Sequence, residues 1–210
     1  MPVIALTFDD GPNTVITPQV LDILEQESIR ASFFLIAQNI TPASAKVVRR
    51  AKAIGCEIEN HTVTHPFMDR LSVEEIRKEV QECTDRIVGI TGKPPKYFRP
   101  PFIAVSSAMY DNIDLTFICG MGCEDWVPAV TAEQRAERVL AAAEDGQIVL
   151  LHDMPGNQNT VEALKTIIPE LKKRGYEFAT VSELFEKKNV TPQRGWLYTN
   201  VLQKTSENRL

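Results

Sequence analysis

The sequence predicts an α/β fold: a single-domain, distorted (β/α) barrel with fewer than eight units. Strand-like apolar runs alternate with capped helical segments over nearly all of its 210 residues. Polar motifs at Asp9-Asp10, His61, Arg99, Asp125-Trp126 and His152-Asp153 each follow a strand-like segment. Doubly wound sheets and barrels both place sites at the carboxyl ends of strands, but five strand ends converging on one point favour a closed ring.

The elements follow in order. Val3 to Phe8 is apolar and stops at an acid pair, as a strand entering a loop does. Thr17-Pro18 predicts a helix with Thr as cap and Pro in the first turn, running to about Gln26. Ala31 to Ile36 reads as the next strand. Thr41-Pro42 repeats the cap-plus-proline start for a helix to about Ile54, closed by Gly55. Cys56 to Asn60 is strand-like, and Ser72-Val73-Glu74-Glu75 is a capping box for a helix to about Ile90. Short strands are expected around Tyr97-Phe98 and from Leu115 to Ile118. Thr131-Ala132-Glu133-Gln134 is a second capping box, for a helix to about Glu144. Ile148 to Leu151 is a continuous apolar run and reads as a buried parallel strand. Thr160 to Arg174 is helical and ends at Gly175. Glu177 to Ala179 and a short helix from Ser182 complete the alternation. The expected domain is therefore 1–189, with 190–210 a polar surface tail that frays at its end.

Thr7-Phe8-Asp9-Asp10-Gly11-Pro12 carries the most chemistry. Two adjacent carboxylates at a strand end repel unless a positive charge sits beside them. A metal is the usual remedy, with one acid as ligand and the other left as a base. The chain has three histidines, and two of them form the spacing His61-Thr62-Val63-Thr64-His65. Asp10, His61 and His65 would give three mixed oxygen and nitrogen donors with a position left for water, the pattern of a catalytic zinc site. Such a set suits one divalent ion, zinc first, with cobalt, nickel or iron also able to bind. Position 62 is Thr, so the His-Glu-x-x-His protease helix is absent.

Arg99-Pro100-Pro101 fixes the backbone and removes two donors, which leaves the Phe102 N–H as a rigid oxyanion donor. Arg99 is expected to pair with Asp9 and orient it. Asp125-Trp126 joins an acid to a ring able to stack on a sugar or wall a pocket. His152, after an apolar strand, reads as a general acid held by a carboxylate, with Asp125 the candidate. Leu151 is expected beside the site, against an acyl methyl.

Apolar residues make up 43% of the chain and charged residues 24%, the mix of a globular domain long enough to bury a full core. A formal charge of −5 and no basic block argue against nucleic acid as partner. No apolar run reaches transmembrane length, which argues against a membrane span. The strand signal begins at residue 3, with no signal peptide before it. That fits a cytosolic protein, a mature form or a domain of a longer secreted chain. Cys56, Cys83, Cys119 and Cys123 contain no CxxC pair and fit either buried thiols or one disulfide.

Taken together, the motifs at 7–12, 61–65, 99–101, 125–126 and 151–153 resemble those of the NodB-homology polysaccharide deacetylases, carbohydrate esterase family 4, over about residues 3–188. The resemblance implies a distorted (β/α)7 barrel and metal-dependent removal of acetyl groups from carbohydrate. It implies Asp9 as base, Asp10, His61 and His65 as metal ligands, and His152 as acid, with Arg99 and Asp125 steadying Asp9 and His152. Asn112 to Leu115, Glu124 to Pro128 and Thr131 to Arg135 are most similar to bacterial acetyl xylan esterases. Ile103 stands where many members have Gly, and Gly122 where many N-acetylglucosamine deacetylases have Asp. The expected substrate is therefore an O-acetylated polysaccharide, with N-acetylglucosamine polymers the alternative. Such a substrate lies outside the cell, so secretion with the leader removed or omitted is expected.

Overall fold

The computed structural model describes residues 1–206. Its strands are β1 (Val3–Asp9), β2 (Ser32–Leu35), β3 (Glu57–Asn60), β4 (Tyr97–Phe98), β5 (Thr116–Ile118), β6 (Met121–Gly122), β7 (Ile148–His152), β8 (Glu177–Phe178) and β9 (Leu197–Tyr198). The helices are α1 (Ile16–Gln26), α2 (Ser44–Ala53), α3 (Val73–Thr91), α4 (Ser107–Asn112), α5 (Ala132–Ala142), α6 (Gln158–Lys173) and α7 (Val181–Lys187). The strands pair in the order β6-β7-β1-β2-β3-β4-β5-β9, with β8 on the first residues of β1, and every ladder is parallel. This is a curled, distorted barrel of β/α units. No described helix is long and apolar enough to cross a membrane.

Alternation along β1 sets the two layers. Ile4, Leu6 and Phe8 join the core between the strands and the helices, together with Val20, Leu24, Leu164 and Ile168. Val3 and Ala5 face the other way, into a second core with Phe34, Tyr97 and Ile148 that α7 plugs with Val181, Leu184 and Phe185. Asp9 shares the parity of Val3 and Ala5, so its carboxylate is delivered to the barrel interior. Both predicted capping boxes are present, at Ser72 and Thr131, and a third at Thr180 starts α7.

Several local expectations are corrected. Thr17 does not cap α1: Asn13 Oδ1 accepts the N–H groups of Val15 and Ile16 at 3.0 and 2.7 Å, and the Thr17 hydroxyl turns instead to Asp153. Residues 190–206 are not all surface: β9 pairs with β5, and Leu197, Tyr198 and Val201 are buried. The chain beyond β9 reaches the foot of β7 through the Gln147–Asn200 bridge, so this segment spans the gap between β5 and β7. The expected fraying at 207–210 lies outside the described residues. Cys56, Cys83 and Cys123 are buried thiols.

Candidate active site

Asp9 ends β1, His61 follows β3, Arg99 follows β4 and His152 ends β7, all at the carboxyl ends of their strands. The β1–β7 register sets Asp9 directly beside His152. Between these strand ends lies a cavity of about 460 Å³, lined by Asp9, Asp10, His61, His65, Trp126 and His152 among others.

The His61–His65 loop is tied down on both sides. Asn60 Oδ1 accepts the Thr62 N–H at 2.9 Å. Glu79 of α3 accepts the N–H groups of Val63 and Thr64 at 2.8 and 2.9 Å and the Thr64 hydroxyl at 2.7 Å. Asp10, Thr62 and His65 all have left-handed φ values, of 70, 69 and 59°. That conformation is costly for L-residues, above all for β-branched Thr62, and persists because the surrounding bonds impose it. The result is convergence. His61 Nε2 and His65 Nε2 lie 3.4 and 3.5 Å from Asp10 Oδ1. His61 Nδ1 lies 2.6 Å from the Arg99 carbonyl, which can only accept, so Nδ1 carries a proton there and Nε2 is the ring atom turned toward Asp10.

Asp9 is paired from behind. Its Oδ1 lies 2.5 Å from Arg99 Nη1, and both residues are buried. The Arg99 guanidinium stacks over Phe34 at 4.2 Å, which fixes its plane. Across the cavity, Asp125 Oδ1 lies 2.7 Å from His152 Nδ1. Burial alone would lower the His152 pKa, but the Asp125 hydrogen bond and charge, with Asp9 and Asp10 beyond, raise it to about 9. Burial would push the Asp10 carboxyl up, and the facing His61 ring, with His152 and His65 around it, outweighs this, leaving it below the ordinary value. Burial, with His61 nearby, lowers the His65 pKa.

Phe102 stands at the cavity mouth in a left-handed conformation (φ 58°) and is 55% exposed. Its ring stacks on Phe67 at 4.0 Å and meets His65 edge-on at 4.6 Å. Trp126, 47% exposed, stands edge-on to His152 at 5.6 Å and covers Gly122. Leu151 is misplaced in the sequence reading. It faces outward into the core against the helices, while Leu150 lines the cavity with His152. The strand period of two forces this, because residues 150 and 152 share a face.

Other roles emerge only in three dimensions. The buried Asp153 carboxylate takes the Thr17 hydroxyl, and its carbonyl takes Asn13 Nδ2 at 2.5 Å. Its N–H donates to the Asp9 carbonyl at 3.1 Å, and burial raises its pKa to about 7. Asp153 thus braces the loop that carries Asp9 and Asp10. Phe67 and Gly120 are further members that local sequence does not mark.

Residues 1–116 match the family model described as Polysaccharide deacetylase. The chain belongs to the polysaccharide deacetylase family. The chain is 48% identical to a bifunctional xylanase/deacetylase of Pseudobutyrivibrio xylanivorans over 90% of its own length and 31% of the relative's. It therefore spans about a third of that protein. The Xyl-CE4 domain of a multidomain xylanase from the hindgut metagenome of Trinervitermes trinervoides superimposes with a TM-score of 0.93 at 46% identity, covering 95% of this chain and 98% of that one. A family 4 acetyl xylan esterase from Clostridium thermocellum, solved with a cobalt ion, gives a TM-score of 0.93 at 41% identity over 96% of this chain and all of that one.

The donor set of this site fits a divalent ion. Asp10, His61 and His65 each offer one ligand atom within 4.8 Å of the others. Asp10 Oδ1 is buried and has no hydrogen-bond partner, a cost that a cation at that point removes.

Proposed function

We propose that this deacetylase hydrolyses O-acetyl groups from a polysaccharide, as an acetyl xylan esterase. The observation that carries the reading is the placement of Asp9 and His152 on one cavity together with the Asp10–His61–His65 donor set. The xylan-linked names of the three relatives above support the substrate class. Gly122 supports it too: the wall under Trp126 carries no acid at that position.

Asp10, His61 and His65 would hold one divalent ion, zinc by preference for this donor set, with cobalt, nickel and iron also accommodated. When bound, it supplies Lewis-acid polarisation and lowers the pKa of a coordinated water. Asp9 accepts the proton of the attacking water, and Arg99 holds it in position to do so. The Phe102 N–H donates to the developing oxyanion. His152 is protonated at neutral pH, given its pKa of about 9, and passes its Nε2 proton to the departing sugar oxygen. Water adds to the acetyl carbon, the ester C–O bond breaks, and acetate and a free hydroxyl result. Trp126 and Phe102 present exposed rings at the mouth for pyranose faces. Such a substrate places the enzyme's work outside the cell.

The test is acetate release by the metal-loaded enzyme from acetylated xylan and from an N-acetylglucosamine oligomer, with a chelated control. Chelator-sensitive release from xylan is expected. Release mainly from the amino sugar would move the substrate to amide deacetylation. Release from neither would overturn the reading.

A further inference from the structure

Arg135, on the first turn of α5, has almost no exposure to solvent at 2% and forms no ion pair with any described carboxylate. Burying a guanidinium is expensive, and the charge that offsets it is Asp125, reached through intervening hydrogen bonds, so those bonds show what Arg135 is there to hold. Arg135 Nη1 donates to Asn157 Oδ1 and, at 2.9 Å, to Thr160 Oγ1. Arg135 Nε donates to the Val130 carbonyl at 3.0 Å and Nη2 to the Val127 carbonyl at 3.2 Å.

The direction of these bonds has a consequence for Asp125. A guanidinium can only donate. Thr160 therefore accepts from Arg135, and its single hydroxyl hydrogen is free to point elsewhere. It points at Asp125 Oδ2, 2.9 Å away. Asn157 likewise accepts through Oδ1, which commits its amide nitrogen to the opposite side. That nitrogen donates to the His152 carbonyl at 2.8 Å and approaches Asp125 Oδ2 at 3.4 Å. Arg135 adds to the pull of the Asp125 carboxylate itself: it occupies the far side of Thr160 and Asn157, so hydroxyl rotation or an amide flip would cost a second hydrogen bond.

We propose that Arg135 is a positioning residue for proton delivery to the leaving sugar: it sets the donor direction of Thr160 and Asn157 toward Asp125 and His152. Through Val127 and Val130 the same side chain holds the loop that carries Trp126. Asp125 is thereby kept as a pure acceptor with its remaining oxygen facing His152 Nδ1. The inference rests on His152 being the general acid, as proposed above.

Leaving-group dependence separates this role from general damage. A nitrophenolate departs without a proton, whereas a sugar alkoxide needs one. The experiment measures kcat on an acetylated xylooligosaccharide and on 4-nitrophenyl acetate for metal-loaded wild type, Arg135→Met, Arg135→Lys, Thr160→Val and His152→Asn, with a thermal melt of each. Arg135→Met and Thr160→Val are expected to lower the sugar-to-aryl kcat ratio by about tenfold, part of the general-acid contribution. Arg135→Lys, which keeps a donor and the charge, recovers part of it. Thr160→Val leaves Arg135 in place and decides the matter if Arg135→Met does not fold. An unchanged ratio in folded Arg135→Met and Thr160→Val, with the ratio reduced in His152→Asn, would overturn the inference alone. An unchanged ratio in His152→Asn would instead overturn the general-acid reading beneath it.

Discussion

Asp125 grips His152 twice: Oδ1 lies 2.7 Å from the ring Nδ1, and Oδ2 accepts the main-chain N–H of the same residue at 2.7 Å. One buried carboxylate thus fixes both the position of the strand end and the plane and tautomer of its imidazole, leaving Nε2 toward the cavity. On the neighbouring strand end, Arg99 holds Asp9 in the same manner, from behind and out of water. The barrel brings two proton-handling groups side by side, each with a buried partner of opposite charge.

The first pair makes His152 a late-titrating base. Its folded pKa, about 9, lies above the 6.5 of an unperturbed histidine. Stability from the protonated pair is therefore fully present below about pH 6.5 and is lost as pH rises through about 9. The difference is on the order of 3 kcal/mol. Proton NMR of the metal-free protein should show one histidine titrating near 9, and Asp125→Asn should bring that midpoint down. The alkaline limb of kcat should follow it. A native His152 midpoint near 6.5 would contradict this.

Arg99→Met should strand the Asp9 carboxylate in the interior. Breaking one side of a buried ion pair costs about 3–5 kcal/mol. Urea unfolding should show that loss as a fall in midpoint at unchanged slope. Surface pairs such as Lys165–Glu162 set the contrast, since solvent screens both of their exposed charges and little stability is lost with them. Equal losses from the two sites would be inconsistent with a buried Arg99–Asp9 pair.

A divalent ion should stabilise the fold as well as the reaction. Asp10 Oδ1 is buried without a partner, and the Asp9 and Asp10 charges lie at adjacent positions. At a hundredfold excess over Kd, binding adds about 2.7 kcal/mol. For a chain of this size that is a rise of roughly 5–10 °C in Tm. Calorimetry with zinc or cobalt should show it for the wild type and not for His61→Ala. The same Tm shift in both would place the ion elsewhere.

Much of this arrangement was legible in the sequence because the chemistry is written at strand ends. Asp9-Asp10, His61, Arg99 and His152 each follow a strand-like segment, and strand periodicity does the rest. What was not legible is relational. Leu151 and Leu150 are equally apolar, and only the phase of β7 tells which faces the cavity. Leu197-Tyr198 looks like part of a polar tail because a two-residue strand carries no local pattern, and its partner lies about 80 residues away in β5. Thr17 lies inside α1 rather than at its cap, and its hydroxyl is committed to Asp153, a contact 136 residues distant. Arg135 reads locally as one more residue of a capping-box helix, yet it lies behind Asp125.

Gly120 and Gly122 both line the cavity and should respond differently to the same change. Gly120 has φ +88°, and a Cβ there would lie 3.0 Å from Arg99 Nη2, 3.1 Å from Leu150 Cβ and 3.3 Å from the Ile148 carbonyl. An L-residue in that conformation costs about 1–2 kcal/mol before any contact is counted. The neighbours cannot absorb the rest cheaply: Arg99 is locked to Asp9, and Leu150 and Ile148 belong to the buried strand β7. Gly120→Ala should therefore lower stability by more than that amount. It should also lower kcat, because the displaced guanidinium carries Asp9 with it. At Gly122 a Cβ meets only the Trp126 ring, at 3.4 and 3.7 Å, which is ordinary contact. Gly122→Ala should leave kcat nearly unchanged and move KM, since only the exposed ring shifts. Parallel kinetics and urea melts of the two variants test this, and a kcat loss confined to Gly122→Ala would contradict the role given to Arg99.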